Sequence, residues 1–198
     1  MSRRGTGWGL ERLTLNRLWR KYKGHTMINK KRYMDNLALA QYYVRKHGLA
    51  ECSVVECGTW RGGVSFGMVD TLPQVGEFHF FDSYEGLPDA TDLDGDEAIR
   101  QQKEGELWFD NNSADYDRFM IDIKGFGLSD RGISVHKGWF QDTLPTFEPE
   151  RPIGLLRLDG DWYDSTMCIL DNLFDKVAPG GLLLIDDYYD WEGCTKAV

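Results

Sequence analysis

SVVECGTWRGG, residues 53–63, is the stretch that decides the fold. Ser53–Cys57 is a short, nearly continuous apolar run, as expected of a strand buried on both faces of a parallel sheet. It leads straight into the glycine-rich turn Gly58-Thr-Trp-Arg-Gly-Gly63. A helical stretch follows with Val64, Met68 and Leu72 at helical spacing. Strand, glycine turn and helix together form the usual frame of a nucleotide-type cofactor site. Small residues let the backbone approach a ligand, and the helix N-terminus offers free amides.

The spacing is not that of the G-x-G-x-x-G dinucleotide fingerprint. Instead the acid Glu56 stands two residues before the first glycine. An acid at a strand end can bind an ammonium group, and turn amides can bind a carboxylate. S-adenosylmethionine (SAM) carries both groups and no pyrophosphate. A second strand, EFHFF at 77–81, ends at Asp82, where this architecture expects a ribose-binding acid. The plainer role for Asp82 is to cap the turn that follows.

Further apolar runs lie at 133–136 (ISVH), 153–158 (IGLLRL) and 181–185 (GLLLI), with helical patterns between most of them. The clearest pattern is the stripe Tyr163, Met167, Leu170 and Phe174. Strand–helix alternation of this kind predicts an α/β, doubly wound, mainly parallel sheet with helices on both faces. Two helical patterns precede it: Leu15, Leu18, Trp19 and Tyr22, then Tyr33, Leu37, Ala40 and Val44. Residues 1–50 thus read as a helical cap and 51–198 as the core. The stretch 83–115 breaks the rhythm and reads as a lid or substrate loop, acidic at first and carrying Trp108 and Phe109 as pocket candidates. Its aspartates do not complete EF-hand spacing.

The second half places carboxylates at two strand ends: Leu158-Asp159-Gly160-Asp161 and Ile185-Asp186-Asp187. Neighbouring strands lie about 4.8 Å apart, so both ends could feed one small site. Crowded carboxylates repel, and a divalent cation resolves the conflict. An all-oxygen set suits Mg²⁺, with Mn²⁺ or Ca²⁺ as alternatives. Some of these acids could instead be helix N-caps, the role expected of Asp164.

The remaining features exclude more than they assign. Apolar residues make up 41% and charged residues 28%, so a full core can be buried without disulfides. A net charge of −9 argues against nucleic acid or an anionic membrane as partner. No signal peptide or bilayer-length apolar run is present, and the four cysteines form no C-x-x-C pair. A reducing cytoplasm is the expected setting.

Several motifs, in order, resemble the macrocin O-methyltransferase family, which methylates sugar hydroxyls on macrolides and related natural products. They are HTM near Thr26, VVECGTWRGG, FFDSYEGLP, KGWFQDTLP from Lys137, LLRLDGDWYDST, PGGLLLIDDY from Pro179 and the closing GC..AV. The resemblance implies a Rossmann-like methyltransferase fold using SAM and Mg²⁺, with a hydroxylated small molecule as acceptor. It implies that Glu56, Gly58, Thr59, Arg61 and Gly62 hold the methionine end of SAM, and Asp82 and Ser83 the ribose. Trp139, Phe140 and Gln141 would lie near the adenine. Asp159, Asp186 and Asp187 would hold the metal. Catechol-type relatives carry a lysine base where this chain has Trp162, so Asp159 becomes the candidate base, with Asp161 and His136 behind it. The family continues past the fifth strand, so the edge of GLLLI is expected to be exposed unless a partner, such as a second copy, covers it. A truncated SAM-binding protein is the alternative reading. A haloacid-dehalogenase-type phosphatase, which also uses D-x-D and D-D, is the more distant one.

Overall fold

The computed structural model describes residues 7–105 and 110–198. Trp108 and Phe109 therefore lie outside the described residues. Five strands form one parallel sheet in the order β3-β2-β1-β4-β5. They are β1 (Ser53–Cys57), β2 (Phe78–Asp82), β3 (Ile133–Lys137), β4 (Ile153–Leu158) and β5 (Val177–Ile185). The helices are α1 (Gly7–Tyr22), α2 (Lys30–Lys46), α3 (Gly63–Thr71), α4 (Asp96–Glu104), α5 (Tyr116–Gly125), the single turn α6 (Phe140–Thr143), α7 (Tyr163–Leu173) and α8 (Glu192–Ala197).

Side chains alternate across the strands, and each face of the sheet closes its own core. Val54, Phe78, Phe80, Leu155 and Leu184 face one way, onto a cluster that includes Leu18, Tyr22, Tyr33 and Leu37 from α1 and α2. Val55, Cys57, Phe81, Leu156 and Leu158 face the other, with Leu144, Phe147, Ile169 and Leu173. The strand order reverses between β1 and β4. In open α/β sheets the cleft beyond the strand ends at such a switch point is where ligands bind.

Register sets which residues meet there. Cys57 pairs with Leu158, and Leu158 with Ile185. Gly58, Asp159 and Asp186, each the next residue along, therefore emerge side by side. Glu56 is paired with Arg157 across the same two strands.

Four local expectations are corrected. The stretch 83–115 is not all loop, because it contains α4. That helix buries only Ala98 and is stabilised by Arg100, which pairs with Glu97 and Glu104. It therefore lacks the apolar stripe that a sequence reading detects. β5 begins four residues before GLLLI. The β4–β5 register jumps from Ile153↔Val177 to Leu155↔Leu182, and this irregularity takes up Pro179, Gly180 and Gly181. The buried face of α7 is Thr166, Ile169 and Leu173, and Phe174 points to solvent. Asp164 does not cap α7; the Tyr163 amide is bonded at 2.7 Å by the buried Asp94 from the acidic loop.

As expected, β5 lies at the sheet edge, with Leu184 buried and Leu182, Leu183 and Ile185 partly exposed. All four cysteines are free. Among the described residues, no helix is long and apolar enough to cross a membrane.

Candidate functional site

Two glycines with positive φ shape the turn, Gly58 at +86° and Gly62 at +84°. A Cβ on Gly58 would run into the Asp159 carbonyl, and one on Gly62 into the rings of Phe66 and Phe119. Only glycine lets β1 and β4 converge this closely at their tips. Asp82 then ties the turn down. Its carboxylate accepts the amides of Thr59 (2.7 Å), Trp60 (2.8 Å) and Tyr84 (2.7 Å). The turn amides of Thr59 and Trp60 are thus engaged by Asp82, which caps the following turn as well. Burial raises the Asp82 pKa, and these backbone bonds oppose the rise.

Glu56 lies beneath the turn and is 1% exposed. One of its oxygens accepts the Ser65 hydroxyl at 2.5 Å, and the other accepts Arg157 Nη1 at 2.8 Å. Burial raises its pKa to about 7, although Arg157 and Ser65 pull the other way.

Beyond β4 and β5 the acids crowd together. Oxygens of Asp159, Asp161 and Asp187 all lie within 4.8 Å of one another. Burial raises the pKa of all three, and repulsion from neighbouring aspartates, Asp186 included, adds to the rise, while Arg157 pulls that of Asp159 down. Neutral donors offset little of this: the Trp191 indole donates to Asp161 at 3.1 Å, and the Asp161 amide to Asp187 at 3.1 Å. Hard, all-oxygen donors held this close fit a divalent cation such as Mg²⁺.

The grouping differs from the expected Asp159, Asp186 and Asp187. Asp161 joins the cluster, whereas Asp186 turns to two arginines, Arg157 Nη2 at 2.9 Å and Arg32 Nη1 at 3.5 Å. Consecutive residues leaving an extended strand point to opposite sides, so Asp186 and Asp187 diverge.

Two cavities open over these tips. The first, about 380 Å³, is lined by Gly58, Asp82, Ser83, Trp139, Phe140, Gln141 and Trp162, among others. The second, about 490 Å³, is lined by Glu56, Thr59, Arg157, Asp186, Asp187 and Trp191, with Asn29 and Arg32 from the N-terminal segment. Met27, Trp60, Asn112, Asp159 and Asp161 line both, so the cavities are contiguous. Trp60, Asn112 and Asp161 also hold positive φ, the kind of local strain that collects at ligand sites. Asn112 Oδ1 is buried and accepts no bond from the described residues, which fits a polar ligand at this junction.

Arg61 is exposed, with its guanidinium over the Trp60 ring, and neither it nor Gly62 lines either cavity. His136 is removed from the cluster: it stacks on Phe81 at 4.1 Å and lines a separate groove at the β2–β3 side. Trp162 is buried and donates its indole N–H to the Pro88 carbonyl at 2.9 Å, anchoring the acidic loop where catechol-type enzymes place a lysine.

Sequence reading missed Arg157, Arg32 and Trp191. For Arg157 a signal was available: a lone charge inside the apolar strand IGLLRL requires partners.

Residues 12–198 match the family model described as Macrocin-O-methyltransferase (TylF). The chain belongs to the macrocin O-methyltransferase family. Among macrocin O-methyltransferase relatives, it is 34% identical over 180 residues to the 8-demethyl-8-(2,3-dimethoxy-alpha-L-rhamnosyl)-tetracenomycin-C 4'-O-methyltransferase of Streptomyces olivaceus, covering 88% of this chain and 66% of that one. It is 32% identical to the mycinamicin III 3''-O-methyltransferase of Micromonospora griseorubida, covering 88% and 68%. The chain thus spans about two thirds of the length of these relatives. The solved structure of the O-methyltransferase NovP is 29% identical, with a TM-score of 0.71 over 87% of this chain and 71% of that one. An SAH-bound O-methyltransferase from Bacillus cereus, 15% identical with a TM-score of 0.54 over 88% and 66%, shares the Rossmann-like fold. The phosphatase reading gains no support, since the D-x-D closes β4 and not the first strand.

Proposed function

We propose that this chain is a SAM-dependent, divalent-cation-assisted O-methyltransferase acting on a sugar hydroxyl of a glycosylated natural product. The observation that carries the reading is the pair of contiguous cavities meeting at Asp159 and Asp161. The first cavity suits an adenosine: Trp139 and Phe140 offer ring faces, and Asp82 and Ser83 offer polar groups. The second is lined by Glu56 and the aspartates, which would face the methionine end and the acceptor. The sugar class rests on the names of the relatives.

A cation at Asp159, Asp161 and Asp187 would lower the pKa of a bound hydroxyl and fix its oxygen. Asp159 and Asp161 line both cavities at their junction, so either carboxylate stands where it could take up the hydroxyl proton. Helices α1 and α2 pack on one face of the sheet, and Asn29 and Arg32 at the start of α2 would lie on the acceptor side.

The test is methyl transfer from SAM to a panel of glycosylated acceptors. Turnover should vanish with EDTA and return with Mg²⁺. Asp159→Ala should abolish turnover while leaving SAH binding largely intact. Turnover that ignores both treatments overturns the reading. SAH binding without turnover on any acceptor would favour a non-catalytic SAM-binding protein.

A further inference from the structure

Arg157 sits within β4 and is 1% exposed. A buried guanidinium is costly unless several hydrogen-bonded anions surround it. Here the anions line one cavity but face two proposed ligand positions within it. Nη1 reaches Glu56 under the glycine turn at 2.8 Å and Asp159 at 2.7 Å. Nη2 lies 2.9 Å from Asp186 as an ion pair without hydrogen-bond geometry. A single planar fork therefore serves the acid facing the cofactor and two acids on the cation side.

We infer that Arg157 is a positioning residue that couples the cofactor position at Glu56 to the cation position at Asp159, so that filling one weakens binding in the other. The inference rests on the proposed function. The argument is one of shared counter-charge. An ammonium arriving at Glu56 competes with Nη1, and the guanidinium then bonds Asp159 and Asp186 more fully. A divalent cation at Asp159 must compete with that hold. The reverse holds when the cation binds first, because equilibrium coupling is reciprocal. Lysine cannot replace this function: a single ammonium on a flexible stem cannot span three acids as a fork does.

The experiment is titration calorimetry of the full chain with Mn²⁺, with and without saturating S-adenosylhomocysteine (SAH), which keeps the amino-acid end of SAM. In the wild type, SAH should raise the Mn²⁺ Kd about fivefold or more, and Mn²⁺ should raise the SAH Kd by the same factor. In Arg157→Lys, checked for folding by thermal melting, the ratio should fall towards one. A purely structural role would change both affinities and leave their ratio alone. Binding of both ligands with no mutual effect in the wild type overturns the inference and leaves the proposed function standing, even if the variant fails to fold. So does an equal ratio in wild type and variant. A wild type that binds neither SAH nor Mn²⁺ removes both.

Discussion

Two sets of acids, most of them half-buried, sit at the same edge of the sheet, and their surroundings could hardly differ more. Asp82, at the end of β2, is met by three backbone amides and the Thr59 hydroxyl. Asp159, Asp161 and Asp187, beyond β4 and β5, are met mainly by one another and by a single buried arginine. In the first set the chain supplies the compensation for a buried negative charge. In the second it supplies only part. A carboxylate whose needs are met by its own backbone holds a turn in shape, whereas a cluster whose needs are unmet is where the proposed cation would bind.

The largest expected effect tests the first half of that contrast. Asp82→Ala would leave three amides without their acceptor, at about 1–3 kcal/mol each when buried. Urea unfolding should show a loss of about 3 kcal/mol or more. A loss below about 1 kcal/mol would mean that the turn holds its shape without Asp82.

Next in size is the cation's own contribution. Mg²⁺ at about a hundredfold over its Kd should stabilise the folded chain by about 2.7 kcal/mol. Asp187→Asn should remove most of that gain, and Asp82→Asn should not. The sign with pH follows from the raised pKa values at the cluster. Acids whose pKa rises on folding favour the folded state when protonated, and that contribution is lost as pH rises through the folded pKa. Without metal, stability should therefore fall as pH rises through neutrality, and the Mg²⁺ increment should grow over the same range. A constant increment would place the ion elsewhere.

A smaller effect has the opposite sign from ordinary mutational damage. Asp161→Asn relieves repulsion while keeping an oxygen for the Trp191 indole, so the metal-free protein should gain on the order of 1 kcal/mol. Destabilisation of that size would show that the cluster is as well satisfied as Asp82.

The smallest effect gives a baseline away from both sets. Burial, with His79 adding, lowers the His136 pKa to about 4. The unfolded chain takes up that proton at about pH 6.5. The contribution of His136 should therefore decline as pH falls from about 6.5 towards 4, giving a slope over that range in the stability difference between wild type and His136→Gln. Mg²⁺ should leave this slope unchanged.

The fold was legible because its signals are local. The runs at Ser53–Cys57 and Ile153–Leu158 carry their own apolar pattern, and the glycine turn carries its own chemistry. The acids were legible as strand-end residues, but their grouping was not. Whether Asp161 or Asp186 faces Asp159 depends on how each strand leaves the sheet, and here Asp161 turns through a positive φ of 55°. Arg157 was missed because a reading built on apolar runs passes over one charge, although cross-strand register places it beside Glu56. The α4 helix was missed because charge pairs, not burial, stabilise it.

The central claim is most directly tested by the anomalous diffraction signal of Mn²⁺ in crystals soaked with Mn²⁺ and SAH. The account predicts a single strong peak among the oxygens of Asp159, Asp161 and Asp187, at ligand distances of roughly 2.0–2.3 Å. SAH should lie across Gly58 with its adenine against Trp139 and Phe140. Manganese bound away from these aspartates, or SAH bound outside the cavity over Gly58, would contradict it.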